Sequence, residues 1–146
     1  MRDLRNLCEI KNMGEVNMQL LSTMGINDIS YKIRGAIFEV YNNLGPGLLE
    51  SVYEEALAFE LKERGLKVER QQPVPIIYKG KELKTDLRLD LLVDDHVIIE
   101  LKSVEDMKPV FGKQLLTYLR LTNKHLGILV NFNTDDIQHS IKRVIN

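Results

Sequence analysis

The stretch from Arg88 to Lys102 reads RLDLLVDDHVIIELK. One run of alternating apolar residues lies on each side of Asp94-Asp95-His96. Such alternation is typical of strands, because successive side chains of a strand point to opposite faces. A short polar loop between two such runs indicates a hairpin. The stretch therefore predicts two antiparallel strands in the second half of the chain.

The length of this loop decides where the acidic side chains of the hairpin lie. If the loop has three residues, Asp90 lies directly opposite Glu100, and Lys102 shares the face of Glu100. If the loop has two residues, Asp90 lies opposite Ile99 and points to the other face. Paired acids destabilise a sheet unless something compensates, and a divalent cation is the simplest compensation. Oxygen ligands in this arrangement suit Mg²⁺ or Mn²⁺ better than zinc.

Two interpretations of these residues remain open. With a metal bound, a phosphodiester would be polarised while Lys102 orients the attacking water or neutralises the transition state. Alternatively, Asp90, Glu100 and Lys102 form cross-strand salt bridges in a solvated hairpin. The acid-x-Lys triplet does not decide between them, since it recurs elsewhere in this chain, for example at Glu60-x-Lys62.

The remainder of the chain predicts helices and strands around this hairpin, ending in a short helix. Weak periodicity in residues 1–27 indicates an N-terminal extension, and 28–146 form one domain. Helical spacing covers 28–44, 48–64, 108–122 and 135–145, and strand patterns cover 66–71, 76–78, 87–92, 97–102 and 126–132. The strands up to Lys102 are expected to form an antiparallel meander, and the strand–helix–strand order after Val97 predicts a parallel pair. The prediction is an α/β fold, a mixed central sheet flanked by helices.

Composition limits the kinds of partner. The 146 residues carry 20 Lys and Arg against 21 Asp and Glu, so no global basic field is available to hold nucleic acid. Residues 62–88 hold eight basic side chains against four acidic ones, a local excess of four. This stretch is either a solvated surface or an edge that follows phosphates.

The single cysteine, Cys8, excludes an intramolecular disulfide, which favours a reducing, cytoplasmic setting. No apolar run approaches the ~20 residues of a membrane helix, and no signal-peptide pattern opens the chain. We therefore expect a soluble, unexported protein with no membrane contact.

Polar side chains also recur on two of the predicted helices. Gln114 and Tyr118 lie one helical turn apart and share a face, where they would touch substrate or support Lys102. Taken in isolation, they fit an ordinary helix boundary with Tyr118 half in the core. Glu50 lies three residues after Gly47 and three before Tyr53, so it either complements the helix dipole or points a third acid into the site.

Taken together, these motifs resemble the small GxxExxY proteins, a branch of the PD-(D/E)XK nuclease-like superfamily. The resemblance covers about residues 28–146 and rests on GLLESVY at 47–53, on Asp90 and Glu100-Leu-Lys102, on Gln114 to Tyr118, and on the segments 129–132 and 141–146. Leu89 stands where the motif places a proline. The chain also lacks the cysteines of iron–sulfur RecB-like nucleases.

The resemblance implies a restriction-endonuclease-like (PD-(D/E)XK) core with specific residue roles. Asp90 and Glu100 would be the metal ligands, Lys102 the catalytic lysine and Glu50 an accessory acid. Gln114 and Tyr118 resemble the Q-x-x-x-Y element that shapes the active site of RecB-like nucleases.

The leading hypothesis is a metal-dependent nuclease that uses Mg²⁺ or Mn²⁺ to hydrolyse phosphodiester bonds in nucleic acid, with DNA as the expected substrate. The alternative is a non-catalytic nucleic-acid or protein-binding module that retains the nuclease fold. A third hypothesis is a structural subunit that forms a homodimer through a sheet edge at Ile76–Tyr78. A homodimer would also suit an enzyme that cuts duplexes.

Overall fold

The computed structural model describes residues 25–146, so most of the predicted N-terminal extension lies outside the described residues. The first helix, α1, covers residues 25–44 and thus includes positions before the predicted start at Asp28. The following elements are α2 (Glu50–Glu63), β1 (Val68–Pro73), β2 (Ile76–Tyr78), β3 (Lys81–Leu83), β4 (Arg88–Val93), β5 (Val97–Lys102), α3 (Pro109–Thr122), β6 (Leu126–Asn131), a 3₁₀ helix (Ile137–Ser140) and β7 (Ile141–Ile145).

Five strands form one mixed sheet in the order β1-β4-β5-β6-β7. Strands β5 and β6 are parallel and are joined through α3, while the other neighbours are antiparallel. The predicted mixed sheet flanked by helices is confirmed, as is the parallel pair. Among the described residues, no helix has the length and apolar character needed to cross a membrane.

The predicted meander is wrong at β2, which pairs with β3 in a separate two-stranded sheet. The main sheet instead passes directly from β1 to β4, with Pro73 paired to Arg88. Proline donates no backbone hydrogen bond, so Pro73 and Pro75 favour a chain that leaves the sheet at this point. The predicted homodimer through this edge gains no support from the contacts of residues 25–146 and stays a prediction.

The predicted C-terminal helix over 135–145 is also wrong. The chain forms one short 3₁₀ turn and then β7, which runs antiparallel to β6. The β-branched residues Ile141, Val144 and Ile145 suit a strand. Pairing with β7 also satisfies the backbone of β6 on its second side, which an exposed edge would leave open.

The sheet separates two apolar layers. Helices α1 and α2 cover one face, where Ile33, Leu57 and the β5 residues Val97, Ile99 and Leu101 are buried together. Helix α3 covers the other face, where Leu115 and Leu119 pack with Ile98. Since β5 alternates between these layers, Glu100 and Lys102 belong to the α3 side of the sheet.

Candidate active site

The hairpin of β4 and β5 has the three-residue loop on which the site prediction depends. Val93 pairs with Val97, and the ladder continues to Leu91 opposite Ile99. The loop closes through two aspartates with positive φ, Asp94 at 48° and Asp95 at 59°. The next positions along the two strands are Asp90 and Glu100, so the register brings the two acids together.

The regular ladder stops where these acids meet. The backbone N–H of Asp90 donates to Glu100 Oε1 at 3.3 Å, and the N–H of Leu101 donates to Asp90 Oδ2 at 2.9 Å. Each carboxylate thus takes the place of a backbone carbonyl on the opposite strand. Glu100 is only 8% exposed, and no salt bridge within residues 25–146 joins Lys102 to either acid. The geometry therefore differs from the solvated, salt-bridged hairpin.

Both carboxyl groups bind protons more tightly than an exposed acid does. Burial raises the pKa of Glu100 to about 9, and repulsion from Asp90 adds to the rise. Burial likewise raises the pKa of Asp90, although the hydrogen bond from Leu101 opposes the change. A bound cation would remove this repulsion and favour both ionised forms.

Lys102 extends from the end of β5 towards α3. Its Nζ lies 4.5 Å from the centre of the Phe111 ring, a cation–π distance that holds the ammonium group over an apolar surface. Its positive charge lowers the pKa of Asp90 and Glu100, in opposition to burial. The charge of the lysine therefore acts on both acids, although no salt bridge within residues 25–146 joins them.

Glu50 lies in the first turn of α2, directly after a tight backbone turn. The Gly-x-x-Glu-x-x-Tyr spacing reflects the contacts that form this backbone turn. Gly47 has φ +95°, a conformation that favours glycine. The hydroxyl of the buried Tyr53 donates to Gly45 O at 2.5 Å and accepts from Leu48 N at 3.1 Å. This single side chain closes the turn and fixes the start of α2.

The orientation of Glu50 brings a third acid to the site. Burial raises its pKa, and the negative charge of Asp90 is the next largest cause. Glu50, Asp90 and Leu101 line a cavity of about 140 Å³. Glu50 and Asp90 therefore line the same cavity, and the role of Glu50 as an accessory acid stays a prediction.

Two further polar residues of this cavity were missed by sequence reasoning. Glu54 is 7% exposed and accepts from Gln71 Nε2 at 2.6 Å and from Arg70 Nη2 at 3.2 Å. It lies one helical turn after Glu50, which is the signal that would have identified it. Gln71 adopts φ 51°, unusual for a residue other than glycine, and no sequence pattern indicates this.

Gln114 and Tyr118, the pair predicted on α3, differ in how far they are buried. Tyr118 is half-buried, and burial followed by the charges of Glu100 and Asp90 raises the pKa of its hydroxyl. Gln114 is exposed, and its side chain makes no hydrogen bond to any of residues 25–146. The charges of both acids therefore act on Tyr118, and the site roles of Tyr118 and Gln114 stay predictions.

Asn131 was also missed, and it supports the segment that follows Lys102. Its Oδ1 accepts from Val104 N at 3.1 Å, and its Nδ2 donates to Val104 O at 2.9 Å. Asn131 is paired with Lys102 in the parallel register of β5 and β6. The amide thereby fixes the chain immediately beyond the lysine.

The residues present fit a hard divalent cation. Within residues 25–146 no three His, Cys, Asp or Glu side chains form a ready metal-binding group, but Mg²⁺ is commonly held by one or two carboxylates and several waters. Asp90 Oδ2 and Glu100 Oε1 accept backbone hydrogen bonds, while the second oxygen of each carboxylate accepts none from the described backbone. The adjoining cavity of about 140 Å³ has room for hydrating waters.

The sequence model of the PD-(D/E)XK nuclease superfamily matches residues 27–144. No curated protein and no solved structure was found to match the chain. The match spans all the site residues described above, from Gly45 to Asn131.

Proposed function

The chain belongs to the PD-(D/E)XK nuclease superfamily, and from this membership we propose that it is a metal-dependent nuclease that hydrolyses phosphodiester bonds, with DNA as its substrate. The observation that carries the proposal is the interlocked pair of Asp90 and Glu100 at the break between β4 and β5. Structural acids are normally exposed or paired with a cation, whereas Glu100 is buried beside Asp90, which is itself half-buried.

The proposed reaction adds water to the phosphorus and breaks one phosphorus–oxygen bond, and the leaving oxygen acquires a proton. A bound Mg²⁺ or Mn²⁺ supplies charge stabilisation and lowers the pKa of water. Asp90 and Glu100 bind that ion. Lys102 orients the nucleophilic water or neutralises charge at the phosphate, because it shares the face of Glu100 and its positive charge acts on both acids.

The remaining residues position the substrate and the water around this centre. Glu50 is an accessory acid that faces Asp90 across the cavity. Tyr118 borders the acids from α3, and we assign Gln114 to substrate contact one helical turn earlier.

We also place the chain in the GxxExxY branch of the superfamily. The support comes from the three residues of the motif. Gly47 adopts the positive φ of the turn, Glu50 supplies the acid, and the hydroxyl of Tyr53 closes the turn. A reducing, cytoplasmic location fits the single cysteine, Cys8.

The test is cleavage of plasmid, single-stranded DNA and RNA by the wild type and by Lys102→Ala, each in Mg²⁺, Mn²⁺ and EDTA. We expect wild-type cleavage of DNA that needs the metal, and a loss of roughly 10²–10³-fold in the variant, as for removal of other transition-state donors. The matched control is Lys142→Ala, which removes an exposed lysine of β7 and should cut like the wild type.

Equal activity in Lys102→Ala and the wild type would refute the assigned mechanism. If the folded wild type cuts none of the substrates in either metal, the binding-module alternative takes its place. Metal-dependent cleavage of RNA but not DNA would support the proposed reaction and show that the substrate is RNA.

A further inference from the structure

The small hairpin of β2 and β3 projects from the main sheet. Its strands are joined by Lys79-Gly80, with φ of 50° and 77°, as a two-residue type I′ turn requires. From Ile77 to Leu83 every residue is exposed. The hairpin is therefore a short, well-defined ribbon whose sides are open to solvent.

Both ends of this ribbon attach beside the candidate active site. It leaves β1 at Pro73, two residues after Gln71, and returns to β4 at Arg88, two residues before Asp90. At its base, the buried Val74 packs in the same layer as Leu115 of α3. The turn is ten residues from Asp90, so its tip is at most about 35 Å away.

The two faces of the ribbon differ in chemistry. Tyr78 is paired with Lys81, so both side chains lie on one face, which we call the Tyr78 face. Ile77 is paired with the acidic Glu82 on the opposite face. The Nζ of Lys79 lies 5.4 Å from the centre of the Tyr78 ring, which adds a second cation beside the aromatic group.

An exposed aromatic ring beside lysines is the combination by which proteins bind unpaired bases. The ring stacks on a base, and the lysines neutralise the adjoining phosphates. Tyr78 is 59% exposed, and the acid of the hairpin is on the other face. Negative charge and a flat apolar surface together are features of a nucleic-acid strand, and they complement this face.

We propose that the Tyr78 face binds a single-stranded segment of nucleic acid next to the site of cleavage, with Tyr78 stacking on a base and Lys79 and Lys81 contacting phosphates. Delivery of that strand to Asp90 and Glu100 rests on the proposed nuclease function. Binding itself does not, because the ribbon residues are separate from the acids.

The test measures binding without cleavage. Full-length protein is titrated in EDTA into a fluorescein-labelled oligothymidine of about 30 nucleotides, and anisotropy is recorded at several salt concentrations.

Tyr78→Ala should weaken binding about tenfold, because stacking on one base is lost. Ile77→Ala removes an equally exposed side chain from the opposite face and should bind within about twofold of wild type. Lys81→Ala should reduce the salt slope of log K by about 0.7.

Equal binding by Tyr78→Ala and Ile77→Ala would overturn the proposal, as would failure of the folded wild type to bind the oligonucleotide. Thermal unfolding of each variant checks that its fold is retained. Cleavage assays in Mg²⁺ separate this proposal from the nuclease proposal. Selective loss of binding in Tyr78→Ala without any wild-type cleavage supports the ribbon alone, whereas cleavage with unchanged Tyr78→Ala binding supports the nuclease alone.

Discussion

Replacing Glu100 by glutamine should stabilise the metal-free protein. The buried carboxyl has its pKa raised to about 9 by burial and by repulsion from Asp90, against an ordinary value of 4.5. The folded state therefore binds more protons than the unfolded chain between these values, so the free energy of unfolding falls as pH rises through that window. One pKa unit is worth about 1.4 kcal/mol, which makes the cost at pH 7 about 3 kcal/mol, distributed over both acids.

The glutamine keeps the shape and the hydrogen bonds of the site. Its amide oxygen can accept from Asp90 N as Glu100 Oε1 does, while its NH₂ group can donate to the Asp90 carboxylate. In EDTA we expect Glu100→Gln to unfold with a free energy about 1–3 kcal/mol above wild type at pH 7, with a larger difference at pH 9 and little difference near pH 4.5.

Urea denaturation followed by circular dichroism at these three pH values measures the difference. Glu63→Gln, at an exposed acid of α2, is the control and should follow wild type at each pH. Mg²⁺ should raise the wild-type midpoint but not that of Glu100→Gln, because the variant loses a ligand. A Glu100→Gln protein that is no more stable than wild type at pH 7 and pH 9 would refute the argument from buried repulsion.

Three other substitutions test the supports of the site. Tyr53→Phe removes the hydroxyl that closes the Gly45–Leu48 turn, so urea denaturation should show a loss of about 1–2 kcal/mol; cleavage should fall with it, and unchanged stability would contradict the role of that hydroxyl. Arg70→Ala leaves the buried Glu54 without its cation and should cost about 1–3 kcal/mol, whereas Lys32→Ala, at an exposed pair with Asp28, should cost less. Gly127→Ala places a Cβ 2.8 Å from Leu115 Cγ and should lower the free energy of unfolding by about 1–3 kcal/mol. The control is Gly112→Ala, whose Cβ meets no atom within 4 Å and which should be neutral or stabilising. Equal urea midpoints for the two alanine variants would count against close packing of α3 on β6.

The sequence predicted the β4–β5 hairpin from its apolar alternation but left the loop length open between two and three residues. Apolar alternation defines the strands, and the three-residue loop at 94–96 then determines which acids meet. The same logic fails for β7, since Ile141, Val144 and Ile145 fit a helical face as well as a strand. Only the neighbouring strand β6, which needs a partner, decides between them.

The polar lining of the cavity was less predictable than the acids themselves. Glu54 becomes part of the site because Arg70 and Gln71 of β1 reach it across the fold, and such long-range contacts leave no local pattern. The unusual backbone of Gln71 likewise follows from tertiary packing. Glu50 was identified because its spacing to Gly47 and Tyr53 reflects a local turn.

The exposed turn at Asp94, Asp95 and His96 gives the chain an unusual constraint on insertion and deletion. Surface turns of this kind ordinarily accept extra residues. Inserting or deleting one residue here would shift the strand register and move one of the two acids to the opposite face of the sheet. A map of tolerated length changes would therefore mark residues 94–96 as forbidden.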